Sequence, residues 1–481
     1  MSEIKVNKLT PRTNCGTVTL GDSGDTFTIP AGATINNLGT ASGFGATGAV
    51  NWDVASIKTV DFTAVSGNGY FVDTATTGAV EVTLPASPTA GDVVGVADYA
   101  NNFNTANCTL NRNGSNIGGN AINPVLAVDG VAVTLVYVDG TKGWIVTDSG
   151  NQTDAPSAKY VTATGGCITT CGNYKMHTFY SPGTFCVSCA GNPSGSTQAE
   201  YLIIGGGGGG GNYAAGGGGA GGYRETPGAA AGGYTVSPQA GLTVLTTAVQ
   251  AYPVSVGGGG AGRSNPRGLG SSGCSSTFNS QSSAGGGGGN GANDGAGAPG
   301  GSGGGGSGGG APGFSNPASG GTGNQPITAP PQGNDGGAGY DGQVSNTQGG
   351  GGGGALCAGA QAASATGGNG GAGAGTAINL TTMPAPSPTP SAQIGTSGPS
   401  PAVRYFAGGG GGSSDNAGGP GGTAGTGGVG GGGNGVTYPG SGNPGTINTG
   451  GGGAGASGPD TGPITGGNGG SGIVVIRYKY Q

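Results

Sequence analysis

Three stretches read together decide the fold: Tyr201-Leu202-Ile203-Ile204, the unbroken run Gly205–Gly211 that follows it, and Ile473-Val474-Val475-Ile476-Arg477-Tyr478 near the end of the chain. The sequence holds 124 Gly and 29 Pro among 481 residues, a proportion at which aperiodic sequence is ordinarily disordered. Glycine also loses more backbone freedom on folding than any other residue. The flanks argue for order nonetheless. Both are β-branched and aromatic, as strands are, and a closed domain whose first and last strands pair accounts for their placement. Further β-type segments lie inside, at Tyr234-Thr235-Val236, Leu242–Leu245 and Tyr252–Val256. Disordered chains are rich in Glu and Lys, yet no lysine occurs between Lys175 and Lys479.

A collagen-type triple helix requires glycine at every third position, and Asn212-Tyr213-Ala214-Ala215 after Gly205–Gly211 breaks that register. What remains is a bundle of polyproline-II-like strands. These have three residues per turn and no internal hydrogen bonds, so their N–H and C=O groups point outward to neighbours. Without Cβ atoms the strands also approach closely enough for Cα–H···O contacts. Only a dense lattice of such bonds offsets about 1–2 kcal/mol of backbone entropy per ordered residue.

The first 155 residues read as all-β. Val60–Thr63, Tyr70-Phe71-Val72, Val80–Leu84, Asp92-Val93-Val94, Val131–Val138 and Trp144-Ile145-Val146 are short β-type runs, preceded by Val18-Thr19-Leu20 and Thr26–Ile29. Asp129-Gly130 and Asp139-Gly140 are hairpin signals between them, and a small sandwich or barrel is expected. No window carries a helical period or heptads. Residues 1–50 hold too few apolar groups for a core of their own, which predicts an oligomer. The expected organisation is an attachment and oligomerisation segment over 1–50, a β module over 51–155, a cysteine-containing hairpin junction over 156–200 and a glycine-rich domain over 201–481.

The formal net charge is −6 and only 7% of residues are charged. Nucleic-acid binding requires a basic stripe against phosphates, and none is present, so no nucleic-acid partner is expected. No stretch approaches the ~18 apolar residues of a membrane span, and Met1–Lys8 lacks the apolar core of a signal peptide.

Of eight cysteines, Cys167, Cys171, Cys186 and Cys189 stand out as C-x3-C followed by C-x2-C. The spacing lies within the loose range of structural metal sites. A hairpin of Tyr174–Phe179 and Thr184–Val187 around Ser181-Pro182-Gly183 would bring the pairs together. A structural zinc or iron, disulfides across the hairpin and free thiols are all open readings, and strand alternation puts Cys186 and Cys189 on opposite faces unless a bulge or turn intervenes.

Catalysis finds little support, and an enzyme is not expected. His177 is the only histidine and sits in an alternating strand beside Met176. The acids Glu225, Asp294, Asp335, Asp341, Asp415 and Asp460 are dispersed, whereas glycosidase chemistry needs two carboxylates ~5–9.5 Å apart.

The order Tyr201-Leu-Ile-Ile, Gly221-Gly-Tyr-Arg-Glu225, Tyr252-Pro-Val-Ser-Val-Gly257 and Gly469-Gly-Ser-Gly-Ile-Val-Val-Ile-Arg-Tyr478 resembles the glycine-rich domain of bacteriophage tail-fibre proteins. Tyr174–Phe179 and Gly183-Thr184-Phe185 resemble the segment that precedes it. Ile4–Leu9 with Thr26–Ile35 is similar to the start of tail fibres of marine podovirus type. The resemblance implies an elongated homotrimeric fibre ending in a polyglycine-II sandwich, attached to other phage tail proteins and assembled in host cytoplasm into the virion. It implies an adhesin that binds a bacterial surface protein or polysaccharide. A polysaccharide-cleaving tailspike and an ice-binding or matrix-type glycine sandwich are the alternatives. In such a sandwich the interior cannot vary, so recognition belongs to loops. The aromatics that interrupt the glycine are the receptor-binding candidates: Phe278, Phe314, Tyr340, Tyr405, Phe406 and Tyr438. Tyr213, Tyr223 and Arg224 join them, Tyr223 with Arg224 leaning toward a structural role, and plugging of the bundle ends is the alternative for all of these aromatics.

Overall fold

A computed structural model describes residues 50–151, 159–193, 195–264, 267–291, 295–309, 317–342, 346–378, 394–415, 422–459 and 463–481. The expectations placed on residues 1–49, and on Phe314, lie outside the described residues. The chain divides into two compact units, Met1–Ala155 and Pro156–Gln481. The segment 156–200 therefore belongs with the glycine-rich part.

In the first unit β1 (Asn51–Lys58), β3 (Asn68–Val72) and β5 (Val93–Asp98) lie parallel in one sheet, while β2 (Phe62–Thr63), β4 (Val80–Thr83) and β6 (Cys108–Asn111) lie parallel in another. Parallel neighbours need a crossover, and here each crossover is a strand of the opposite sheet. β7 (Val125–Leu126) then adds antiparallel to β6, and β8 (Val131–Asp139) and β9 (Gly143–Asn151) add antiparallel beyond β5. Val72, Val96, Leu135 and Trp144 from the first sheet meet Val82 and Leu110 from the second in one dry core. Two sheets with a shared core are present, without closure into a barrel among the described residues.

Asp139 closes the β8–β9 hairpin, its Oδ1 accepting from Thr141 N at 2.9 Å and Lys142 N at 2.6 Å. Gly143 is required there, since its φ is +71° and a Cβ would overlap the Asn116 carbonyl. Asp129-Gly130 does not close a hairpin. It carries the chain from β7 to β8, which belong to different sheets.

In the second unit β10 (Val161–Thr164), β13 (Gly183–Ala190) and β17 (Ala251–Val254) form a small sheet. Facing it is a larger one, ordered β11 (Cys167–Cys171), β12 (Tyr174–Phe179), β25 (Ile473–Lys479), β14 (Gln198–Ile204) and β15 (Tyr223–Glu225), with β16 (Leu245–Thr246) also on β14. The first and last strands of the glycine-rich domain pair directly, Tyr201 opposite Ile476 and Ile204 opposite Ile473. Alternation sends Tyr201, Ile203, Val474 and Ile476 into the core against Phe185, Val187 and Tyr252. It sends Leu202, Ile204, Ile473 and Val475 to the other face, against Tyr223, Ala355 and Phe406. Both faces of these two strands are covered, which is why their sequences are continuous apolar runs. Tyr234–Val236 is not a strand; the Tyr234 ring lies instead 4.9 Å from the Arg477 guanidinium.

From Ile204 the run Gly205–Gly211 leaves the sheet with a bond pattern of period three. Gly206 and Gly209 donate to Cys274 and Ser271, Gly207 and Gly210 to Gly470 and Gly467, and Gly208 and Gly211 to Gly219 and Gly216. Three residues per turn aim successive N–H groups about 120° apart, each at a different neighbour.

The strand Gly216–Gly222 is the axis of the lattice. Its N–H and C=O groups bond outward to segments 205–211, 284–290, 302–305, 350–353, 410–413 and 450–453. Those six also bond in sequence around it, through Gly286 to Gly206, Gly287 to Ser302, Gly350 to Gly306, Gly352 to Gly410, Gly452 to Gly408 and Gly453 to Gly208. The ring closes, and further glycine segments, among them 257–263, 334–339 and 466–470, pack outside it. The expected polyglycine-II bonding is present, wrapped concentrically around one strand.

Candidate functional site

The lattice has two different ends. The proximal end rests on the larger sheet; the distal end is a cap of turns joining the glycine strands. At its middle, Asn212–Ala215 links Gly205–Gly211 to the axial strand. Three hydrogen bonds to two neighbours hold this turn: Gly308 N donates to Ala214 O (3.0 Å), Ser413 N donates to Ala215 O (3.0 Å), and Ala215 N donates to Ser413 Oγ (2.8 Å). Tyr213 has φ +73° and Ala214 φ +42°, conformations that non-glycine residues adopt rarely and that cluster at functional positions. The Arg267 guanidinium lies 3.9 Å from the centroid of the Tyr213 ring, a cation–π contact.

Beside this turn stand three short antiparallel strands, β20 (Tyr340–Asp341), β21 (Thr347–Gln348) and β24 (Ser414–Asp415). β18 (Ser276–Phe278) and β19 (Gln281–Ser283), which precede them in the chain, and the paired β22 (Ala374–Thr376) and β23 (Arg404–Phe406), which fall between β21 and β24, lie at the proximal end. Tyr438 donates its N–H to Ser414 O at 3.0 Å and is 37% exposed. Under the aromatics the floor is polar: Thr347, Gln348, Ser414 and Asp415 are all buried. Gln348 Oε1 and the hydroxyls of Ser414 and Ser457 have no hydrogen-bond partner among the described residues. The cap thus offers ring faces, a guanidinium and spare polar capacity, a combination suited to binding.

The expected receptor-binding aromatics divide between the ends. Tyr340 and Tyr438 lie in the distal cap. Phe278 is 1% exposed in the core between the two sheets and Phe406 is fully buried on the other face of the larger sheet, so neither has surface to offer a partner. Tyr405 packs partly buried beside Phe406. Tyr223 is fully buried, its hydroxyl donating to Glu225 Oε2 at 2.7 Å, and Arg224 is also buried. Tyr213 and Arg267 form the pair at the axis; Arg267 carried no sequence signal, because its partner is 54 positions away in the chain.

The expected cysteine hairpin does not form. β12 and β13 are consecutive but lie in different sheets. Cys167 and Cys171 pair with Thr178 and Tyr174, on the same face of the larger sheet as Met176. Cys186 and Cys189 pair with the exposed Thr164 and Thr162, on the outer face of the small sheet. An apolar core separates the two pairs, and among the described residues no group of three His, Cys, Asp or Glu side chains converges to hold a metal. The four thiols do not fit a shared zinc or iron.

His177 is buried in the sandwich core. Its Nδ1 lies 2.6 Å from Gly165 O and its Nε2 3.0 Å from Tyr478 Oη, so Nδ1–H donates to the carbonyl and Nε2 accepts from the phenol. Burial lowers its pKa to about 4, against the opposing pull of the Gly165 carbonyl. Glu225 is shifted the opposite way: burial raises it to about 7, although Thr376, Tyr223 and Ser237 N–H all donate to its carboxylate.

For His177 the unfolded chain binds the proton more readily, so its stabilisation is complete above about pH 6.5 and is lost toward pH 4. For Glu225 the folded state binds the proton more readily, so its contribution is complete below about pH 4.5 and is lost as pH rises through 7. Between pH 4.5 and 6.5 the two oppose each other. Glu225→Gln should therefore steepen the acid-side loss of stability, toward about 3 kcal/mol in all, measured by urea unfolding at a series of pH values. An unchanged pH profile would show that Glu225 does not titrate in this window.

A family model described as a glycine-rich domain matches residues 180–479. No curated protein matches the chain.

Proposed function

This chain belongs to the glycine-rich domain family, and from the geometry of its distal cap we propose that it is a receptor-binding adhesin of the phage tail-fibre kind. In this reading the protein is part of the virion, its N-terminal region serves attachment and threefold assembly, and the glycine lattice is a rigid mount for the cap. One observation carries the proposal. Interior lattice strands spend their N–H and C=O groups on neighbours, so variation is confined to the turns, and the distal turns gather Tyr213, Arg267, Tyr340 and Tyr438. Tyrosine and arginine provide most of the binding energy at many interfaces. A bacterial surface protein or polysaccharide is the receptor class this fits.

Fluorescently labelled protein incubated with candidate host cells should bind them saturably. Replacing Arg267, Tyr340 and Tyr438 together by alanine should weaken that binding about tenfold or more with an unchanged melting temperature. Full binding by the triple variant would remove the cap as the recognition surface. Release of new reducing ends from cell-surface polysaccharide would favour the cleaving tailspike.

A further inference from the structure

We infer that Cys186 and Cys189 form a reversible dithiol–disulfide couple on the outer face of a single strand, β13. In a regular strand, residues three apart point to opposite faces. Here the register against β10 shifts by one: Thr162 is opposite Cys189, Ala163 opposite Val187 and Thr164 opposite Cys186. Ser188 is the extra residue of a β-bulge, and its hydroxyl donates to Thr162 O at 3.3 Å. Directly opposed residues of an antiparallel pair share a face. Both cysteines therefore share the face of Thr162 and Thr164, which are exposed, while Val161, Ala163, Phe185 and Val187 face the core.

The spacing suits a disulfide. The partners Thr162 and Thr164 are two residues apart, so the cysteine Cα atoms stand about 6.8 Å apart, at the long end of the range that disulfides span. A bond formed there is strained, and strained exposed disulfides are the easily reduced ones. The flanking face is small and open: Ala251 lies opposite Cys186 on the other side, beside Pro253 opposite Thr184, and all are exposed. The other described cysteines lack this arrangement. Cys108 is buried, its thiol pushed up to about 12 by burial, and Cys274 and Cys357 are far apart in the chain on separate glycine segments.

The co-reactant is a small-molecule disulfide. The more exposed Cys186 thiolate attacks one of its sulfurs and expels one thiolate, giving a mixed disulfide on Cys186. Cys189 as thiolate then attacks the Cys186 sulfur, closing the Cys186–Cys189 bond and releasing the second thiol. Two electrons pass from the protein to the small disulfide, which leaves as two thiols, and the two protein thiol protons go to solvent or to those thiols.

The full chain, incubated with oxidised glutathione and then alkylated after denaturation, should lose two of its eight alkylatable thiols. Peptide mapping should find Cys186 and Cys189 joined to each other, and excess reduced glutathione should restore both. Two separate glutathione adducts on the wild-type pair, or a bond to another chain, would overturn the inference. In Cys186→Ser, Cys189 should become alkylatable or carry glutathione. If it stays as protected as in the wild type, its protection does not come from Cys186 and the idea fails. Serine at this exposed position should leave the melting temperature unchanged, separating redox chemistry from folding.

Discussion

Gly218→Val should prevent the glycine-rich unit from folding, while Gly258→Ala should leave it intact. Gly218 lies in the axial strand, donating to Gly453 O and accepting from Gly410 N. A Cβ there would overlap the Gly208 carbonyl oxygen. Relief is difficult, because moving Gly216–Gly222 outward strains the ring of strands bonded around it, and close-packed interiors transmit strain. The expected cost is on the order of 4 kcal/mol or more, the size reserved for severe steric or polar disruption. At Gly258, on an outer strand, a Cβ meets nothing within 4 Å. Alanine there should change stability by no more than about 0.5 kcal/mol. Urea unfolding and soluble yield report both variants. A Gly218→Val protein as stable as the wild type would mean that the axial packing is wrong.

Amide hydrogens of Gly216–Gly222 should exchange only when the whole unit unfolds. Each of the seven N–H groups donates to a backbone carbonyl of a surrounding segment, and the strand has no edge from which to fray. Core amides that open only globally report the full unfolding free energy, ordinarily about 5–15 kcal/mol. Exchange slower than that of an unfolded chain by about 10⁴-fold or more is expected, measured by mass spectrometry on peptides spanning the axial strand. Coil-like exchange would make the glycine tract a linker and leave the cap without a mount.

Much of this architecture was legible from side chains. Tyr201–Ile204 and Ile473–Tyr478 announced a pair of central strands because continuous apolar runs demand two covered faces. Asp139-Gly140 announced the β8–β9 hairpin through turn chemistry. Between glycines, by contrast, nothing distinguishes one run from another. That Gly216–Gly222 is axial, and Gly257–Gly262 peripheral, follows from which carbonyls surround them. The parallel order of β1, β3 and β5 was equally silent, since a step across a core and a reversal within a sheet use similar turn residues. Ser188 hid the sidedness of the cysteines: a bulge is a matter of register with β10, and no residue in β13 specifies it. At the cap, Tyr340 and Tyr438 were readable as polar-loop aromatics. Phe278 and Phe406 were misplaced, because an aromatic amid glycine looks alike whether it caps a surface or fills a core.

The period-three bonding also acts as a reading frame for inheritance. Removing one residue from Gly205–Gly211 would turn every later N–H by a third of a revolution, away from its own partner strand and toward a different one. Removing three would shorten the strand by one turn and leave each remaining bond with its old partner. Glycine runs in descendants of this chain should therefore lengthen and shorten in threes, whereas the distal turns, which answer to no such count, are free to change by any number of residues.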